Sequence, residues 1–108
     1  MADLELTETL QTGVLHLKNW LNENGYQNIE VSIWQSGSVD IKANGQNENI
    51  LVQLKTIIQP GDIVEPNATD KFAIKDLAER LKRIPYIAYI TIDKDKNIVG
   101  EIIWERLL

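Results

Sequence analysis

The sequence predicts an α/β domain: a mixed central sheet with helices on both faces and the element order α-β-β-β-α-β-β. Three observations carry this expectation. Leu6, Leu10, Val14, Leu17 and Leu21 recur at helical spacing, the mark of an amphipathic helix. Residues 49–58 and 86–92 are mostly apolar runs, as strands covered on both faces must be. Between those runs lies a second helical stripe, Ile74, Leu77, Leu81 and Ile84. A strand, a crossover helix and a strand should form a right-handed parallel unit.

The remaining elements follow in order. The first helix is expected over about residues 7–24, with Thr7 as its N-cap and Gly25 in "NENG" as its stop. "IEVSIWQ" (29–35) is a strand and Ser36-Gly37 a turn. "SVDIKA" (38–43) alternates, with Val39, Ile41 and Ala43 on one face and Asp40 and Lys42 on the other. "NGQNEN" (44–49) is a polar loop, so the first three strands should be an antiparallel meander. "QPGDIVEPNAT" (59–69) is a loop, and the second helix should stop before Pro85. "DKDKN" (93–97) is a turn, and "IVGEIIWERL" (98–107) is the last strand.

A chain of 108 residues suits one domain with a modest core. With 44% hydrophobic and 25% charged residues, it has an ordinary globular composition. It has no cysteine, which excludes a disulfide framework and a thiolate metal site and suits a reducing cytoplasm. No apolar run approaches the roughly 20 residues of a membrane span. "MADLELTETL" is acidic and lacks the basic-then-apolar order of a signal peptide, so a cytoplasmic chain with no membrane partner is expected. The net charge of −5 works against nonspecific nucleic-acid binding.

Two residues break the apolar run at 49–56. Gln53 and Lys55 stand two apart and share a face, where an amide and an ammonium cost energy unless paired. If Ala43 pairs with Ile50 across the loop, Asp40 sits opposite Gln53 with Lys55 on the diagonal. A tight Asn44-Gly45 turn would instead pair Asp40 with Asn49. The plainer reading is a solvated sheet edge with a salt bridge worth under about 1 kcal/mol.

The stretch "SGSVDIKANGQNENILVQLKT" resembles the core motif of the PD-(D/E)xK nuclease superfamily, which has the restriction-endonuclease-like fold. That motif is an Asp at the start of one strand, a loop, then Glu or Gln, any residue, and Lys on the next. The surroundings are similar too, from a helix ending in Gly25-Tyr26 to the helix and strand after the hairpin. Gln in the acid position resembles the Mrr-type branch. The resemblance implies a metal-dependent DNA endonuclease in which Asp40, Gln53 and Lys55 are catalytic. Asp40, the Gln53 amide oxygen and the Leu54 carbonyl would hold Mg²⁺ or Mn²⁺. Lys55 would orient the attacking water and offset charge at phosphorus. Many relatives add an acid from the first helix, for which Glu8 is the candidate and Glu5 nearly as good. Gln53 leaves one firm carboxylate and weaker metal affinity. The alternatives are a non-catalytic interaction or regulatory subunit of a DNA-processing or mobile-element system, and a structural protein with a coincidental motif.

Residues 71–83 hold five basic side chains (Lys71, Lys75, Arg80, Lys82 and Arg83) against Asp76 and Glu79. Lys71 and Lys75 are the candidate phosphate contacts. The same charges also fit as ordinary Asp76–Arg80 and Glu79–Arg83 helix pairs. His16 is the only histidine and is expected at the surface. "DKDKN" opens like a calcium loop, but Ile98 and Trp104 occupy positions that such a loop gives to Gly and Glu. Trp20, Trp34 and Trp104 are expected in core or interface. Ile102-Ile103-Trp104 puts apolar groups on both faces of the last strand, so cover by the chain's own helices or by a second copy is expected. A homodimer or a partner subunit would follow.

Overall fold

A computed structural model of the chain describes residues 2–33, 39–63 and 66–108, with side chains from Glu8 onward. Its elements in chain order are α1 (Ala2–Glu23), β1 (Gln27–Ile33), β2 (Val39–Asn44), β3 (Asn49–Ile58), α2 (Ala68–Leu81), β4 (Ile84–Ile92) and β5 (Ile103–Arg106). The strands form one mixed sheet in the order β1-β2-β3-β4-β5. β1, β2 and β3 are antiparallel neighbours, β3 and β4 run parallel, and β5 returns antiparallel along β4.

Strand alternation divides the core between the two helices. Ile50, Val52 and Leu54 of β3 pack with Val39, Ile41 and Ala43 of β2 and with Leu17 and Leu21 of α1. Leu51, between them, points the other way and packs on Ile74 and Ala78 of α2. Full burial of a side chain such as Leu17 or Leu21 contributes roughly 2 kcal/mol. The α1 face is therefore the main core, and the α2 face is the smaller one.

Two helix ends depart from expectation. α1 begins at Ala2, so position 7 lies inside the helix and cannot be its N-cap. Its other end behaves as expected: Gly25 takes φ +84°, and the Tyr26 N–H bonds back to the Leu21 carbonyl at 3.0 Å. α2 is capped by Asn67, whose side chain accepts from the Asp70 N–H, so the preceding loop ends before residue 68. Lys82 closes it in a left-handed conformation, with the Arg83 N–H on the Ala78 carbonyl at 2.8 Å. Leu81, expected in the apolar stripe, is exposed instead.

The strands shift by a few residues. β1 covers Gln27–Ile33, starting two residues before the expected strand, and is bulged between Gln27 and Glu30, where Asn28 has φ 54°; residues 34–35 of that strand and the Ser36-Gly37 turn lie outside the described residues. Trp34 lies outside the described residues. β4 starts at Ile84, because Pro85 needs no N–H of its own and its carbonyl accepts from the Leu107 N–H. The last strand is much shorter than 98–107. Ile98 makes one bridge to Ile92, Gly100 turns the chain at φ +72°, and pairing resumes only at Ile103. Within one chain that strand is covered on one face. Trp104 is half-buried against Trp20 and Tyr86, while Ile103 on the opposite face is 51% exposed.

Among the described residues, no helix is long and apolar enough to cross a membrane.

Candidate functional site

The hairpin register decides what the polar residues can do together. Ala43 pairs with Ile50 and Asn44 with Asn49, leaving a loop of residues 45–48 closed by the Gly45 N–H on the Glu48 carbonyl. Asp40 therefore stands directly opposite Gln53, and the Asn44-Gly45 two-residue turn does not form. Gln53 and Lys55 share the face of Leu51, which is the α2 face. Asp40 lies on that face as well, since its neighbours Val39 and Ile41 belong to the α1 core. One row of residues crosses the whole sheet here: Ser32, Asp40, Gln53, Ile87 and Glu105.

Burial makes this row costly. Asp40 Oδ1 and Gln53 Oε1 are both shielded from solvent, and Gln53 Oε1 accepts no hydrogen bond from the described residues. A buried amide oxygen without a donor costs about 1–3 kcal/mol, so a donor or a cation supplied there would recover it. Leu54, whose carbonyl was the third expected ligand, is buried in mid-sheet between Val39 on β2 and Ala88 on β4.

Lys55 is half-buried beside Tyr89, its partner across the parallel pair. It lines a groove of about 550 Å³ between the end of β3 and the start of α2, together with Asp62, Asn67 and Asp70. The groove reaches Lys55 but is not lined by Asp40 or Gln53. Two other cavities of similar size lie elsewhere, one beside the 45–48 loop and one between α1 and β5.

The other sequence candidates do not gather at this face. Glu8 belongs to α1, on the far side of the sheet, and its carboxylate bonds the Lys96 ammonium at 3.0 Å. The helix faces the layer of Leu54, and an acid on it is separated from Asp40 by the sheet. The side chain of Glu5 lies outside the described residues. Lys71 is committed to Glu105 at 2.8 Å, whereas Lys75 is exposed. Asp76 and Arg80 form their helix pair at 2.7 Å. Arg83 does not pair with Glu79: the left-handed turn at Lys82 takes it off the helix surface, and it bonds the β2–β3 hairpin instead. His16 Nε2 lies 3.3 Å from the Lys96 carbonyl at the surface. In "DKDKN", the Asp93 carboxylate accepts from the N–H groups of Asp95 and Asn97, which ties the turn to itself.

Two groups near the site were missed by sequence reasoning. Glu105 accepts from Lys71 and from the Tyr89 hydroxyl at 3.1 Å. The bond from Lys71 holds its carboxyl below the usual value, against a smaller opposing effect of burial. Arg83 is the second, and its only signal was an excess positive charge just past the helix end.

Among the described residues, no three His, Cys, Asp or Glu side chains cluster closely enough to hold a metal ion by themselves. Comparison with protein-family models gives no match to this chain, and comparison with curated proteins gives none either.

Proposed function

We propose that the Asp40–Gln53–Lys55 face is a metal-dependent site for phosphodiester hydrolysis on DNA, in a cytoplasmic domain with a restriction-endonuclease-like fold. The observation that carries this reading is the pairing of Asp40 with Gln53: two shielded oxygens on adjacent strands, with Lys55 beside them. Both are hard oxygen donors, the kind preferred by Mg²⁺ and Mn²⁺, and Mg²⁺ commonly keeps several waters and takes only one or two carboxylates. The donor set therefore fits such an ion, with Asp40 and Gln53 as its holders. A bound divalent ion supplies a polarised phosphate oxygen and an activated water. Lys55 would hold that water in line and offset the charge that grows on the phosphorus oxygens. The groove beside Lys55 gives a phosphate a route to that ammonium.

The second reading is a non-catalytic subunit that keeps the fold. It is favoured by the single carboxylate of the site. The next acid on the same row, Glu105, lies beyond Ile87 and is held by Lys71 and Tyr89. Titration with Mg²⁺ or Mn²⁺, followed by amide shifts at Asp40, Gln53 and Leu54, separates the two. Saturable shifts confined to this face, together with nicking of supercoiled DNA, support the hydrolytic site. No shift at millimolar metal leaves the interaction module.

A further inference from the structure

Arg83 sits one residue beyond the left-handed cap of α2 and one before β4. Its backbone is pinned by the bond from its N–H to Ala78. From there Nη1 reaches across the sheet to the Ala43 carbonyl at 3.2 Å, Asn44 Oδ1 at 3.0 Å and the Ile50 carbonyl at 3.3 Å. One half-buried guanidinium thus ties β4 to both strands of the hairpin at its last paired residues.

Apolar patterning alone is a weak guide to this register. A one-residue slip would turn every side chain of a strand to the wrong face, but a two-residue slip would not. In that slip Val39 would face Val52 and Ile41 would face Ile50, so the α1 core would still be apolar. Asp40, however, would face Leu51 in place of Gln53. The three acceptors of Arg83 exist together only where Ala43 pairs with Ile50. All three bonds come from Nη1 at the end of the long side chain, so its two N–H groups are shared among three fixed acceptors.

We propose that Arg83 is a positioning residue that selects the hairpin register in which Asp40 faces Gln53. Its link to function rests on the hydrolytic reading above; its link to register does not.

The test is NMR on the full chain carrying Arg83→Met, with Arg80→Met as the comparison because Arg80 bonds Asp76 on the helix surface, away from the hairpin. Cross-strand contacts between Asp40 and Gln53 should fall by about half or more in Arg83→Met, with contacts from Asp40 to Leu51 appearing. They should be unchanged in Arg80→Met, and the Trp20–Trp104 contact should persist in both. Arg83→Lys keeps a charged donor on a shorter side chain, so an intermediate loss is expected. Unchanged Asp40–Gln53 contacts in Arg83→Met overturn the proposal; if that variant does not fold, unchanged contacts in Arg83→Lys do so. Line broadening of the Gln53 amide by Mn²⁺ is measured on the same samples. Its absence in the wild type removes the hydrolytic reading and leaves the register result to decide the role of Arg83.

Discussion

Lys71 Nζ donates to Glu105 Oε2 at 2.8 Å, joining the first turn of α2 to the edge strand β5. The two side chains are 27% and 29% exposed, so solvent screens the pair only in part. The bond from Lys71, and less so that from Tyr89, lowers the Glu105 carboxyl below its ordinary value. A depressed carboxyl contributes stability that is present above its unfolded value and is lost as pH falls through its folded one. Wild-type stability should therefore be flat in this respect near neutrality and decline below about pH 4.5, the ordinary value for Glu. Glu105→Gln should cost roughly 1 kcal/mol at pH 7 and show a shallower decline in acid. Urea unfolding from pH 3 to 7 measures both, and parallel pH curves for the two proteins would remove the pair from the stability of the fold.

α1 lies tight against the sheet at Gly13, where an added Cβ would collide with the side chain of Thr56 on β3. Alanine ordinarily gains about 1 kcal/mol over glycine inside a helix. Here Gly13→Ala should instead destabilise by about 1–3 kcal/mol, because the helix must move off the sheet. Thr56 Oγ1 is buried without a hydrogen bond to any described residue, so Thr56→Ala removes an obstacle at little cost. In a double-mutant cycle the pair should be less destabilised than the sum of the single changes, by about 1 kcal/mol or more. Additive effects would mean that the helix does not approach the strand at this point.

How far the sequence was legible depends on the range of the contact. The alternation Val39, Ile41, Ala43 opposite Ile50, Val52, Leu54 was visible, and it carried Asp40 and Gln53 to one face. Both helices and the parallel crossover followed from period and length. What could not be seen was which face of the sheet each helix would cover. α1 covers the Leu54 face, so Glu8 falls on the side away from Asp40 and pairs with Lys96. Lys71 and Glu105 are 34 residues apart, and Arg83 meets Ala43 only because of a left-handed turn at Lys82. No local pattern encodes such contacts. The last strand was overextended because an apolar run does not reveal the turn that Gly100 makes inside it.

The site predicts a sharp pattern among its own variants. Asp40→Ala should abolish Mg²⁺- or Mn²⁺-dependent nicking by removing the only carboxylate of the set. Lys55→Ala should reduce nicking by about a hundredfold or more while leaving metal binding in place, since its charge acts on the reacting phosphate. Gln53→Glu should tighten metal binding about tenfold, or about 1.4 kcal/mol, by restoring a second carboxylate. Circular dichroism establishes that each variant folds, and calorimetric metal titration with a plasmid-nicking assay reads the rest. A Gln53→Glu protein that gains no metal affinity would favour the non-catalytic subunit.

The edge strand carries the last prediction. Among the described residues, β5 has β4 on one side and no strand on the other, and it is only four residues long. Glu105 and Arg106 place charge along it, which guards against open-ended strand pairing. Yet Ile103, paired with Tyr89 on the α2 face of this edge, is 51% exposed. An exposed isoleucine on a short strand that also carries charge suits a closed two-fold contact better than a growing one. Such a dimer would also give a hydrolytic domain two sites for two DNA strands. Sedimentation equilibrium at high micromolar concentration should give about twice the chain mass of 12.3 kDa. Ile103→Lys should return the monomer with unchanged circular dichroism, because that side chain contributes little to the core of its own chain. A wild-type monomer throughout the concentration range would sink the dimer while leaving Asp40, Gln53 and Lys55 where they are.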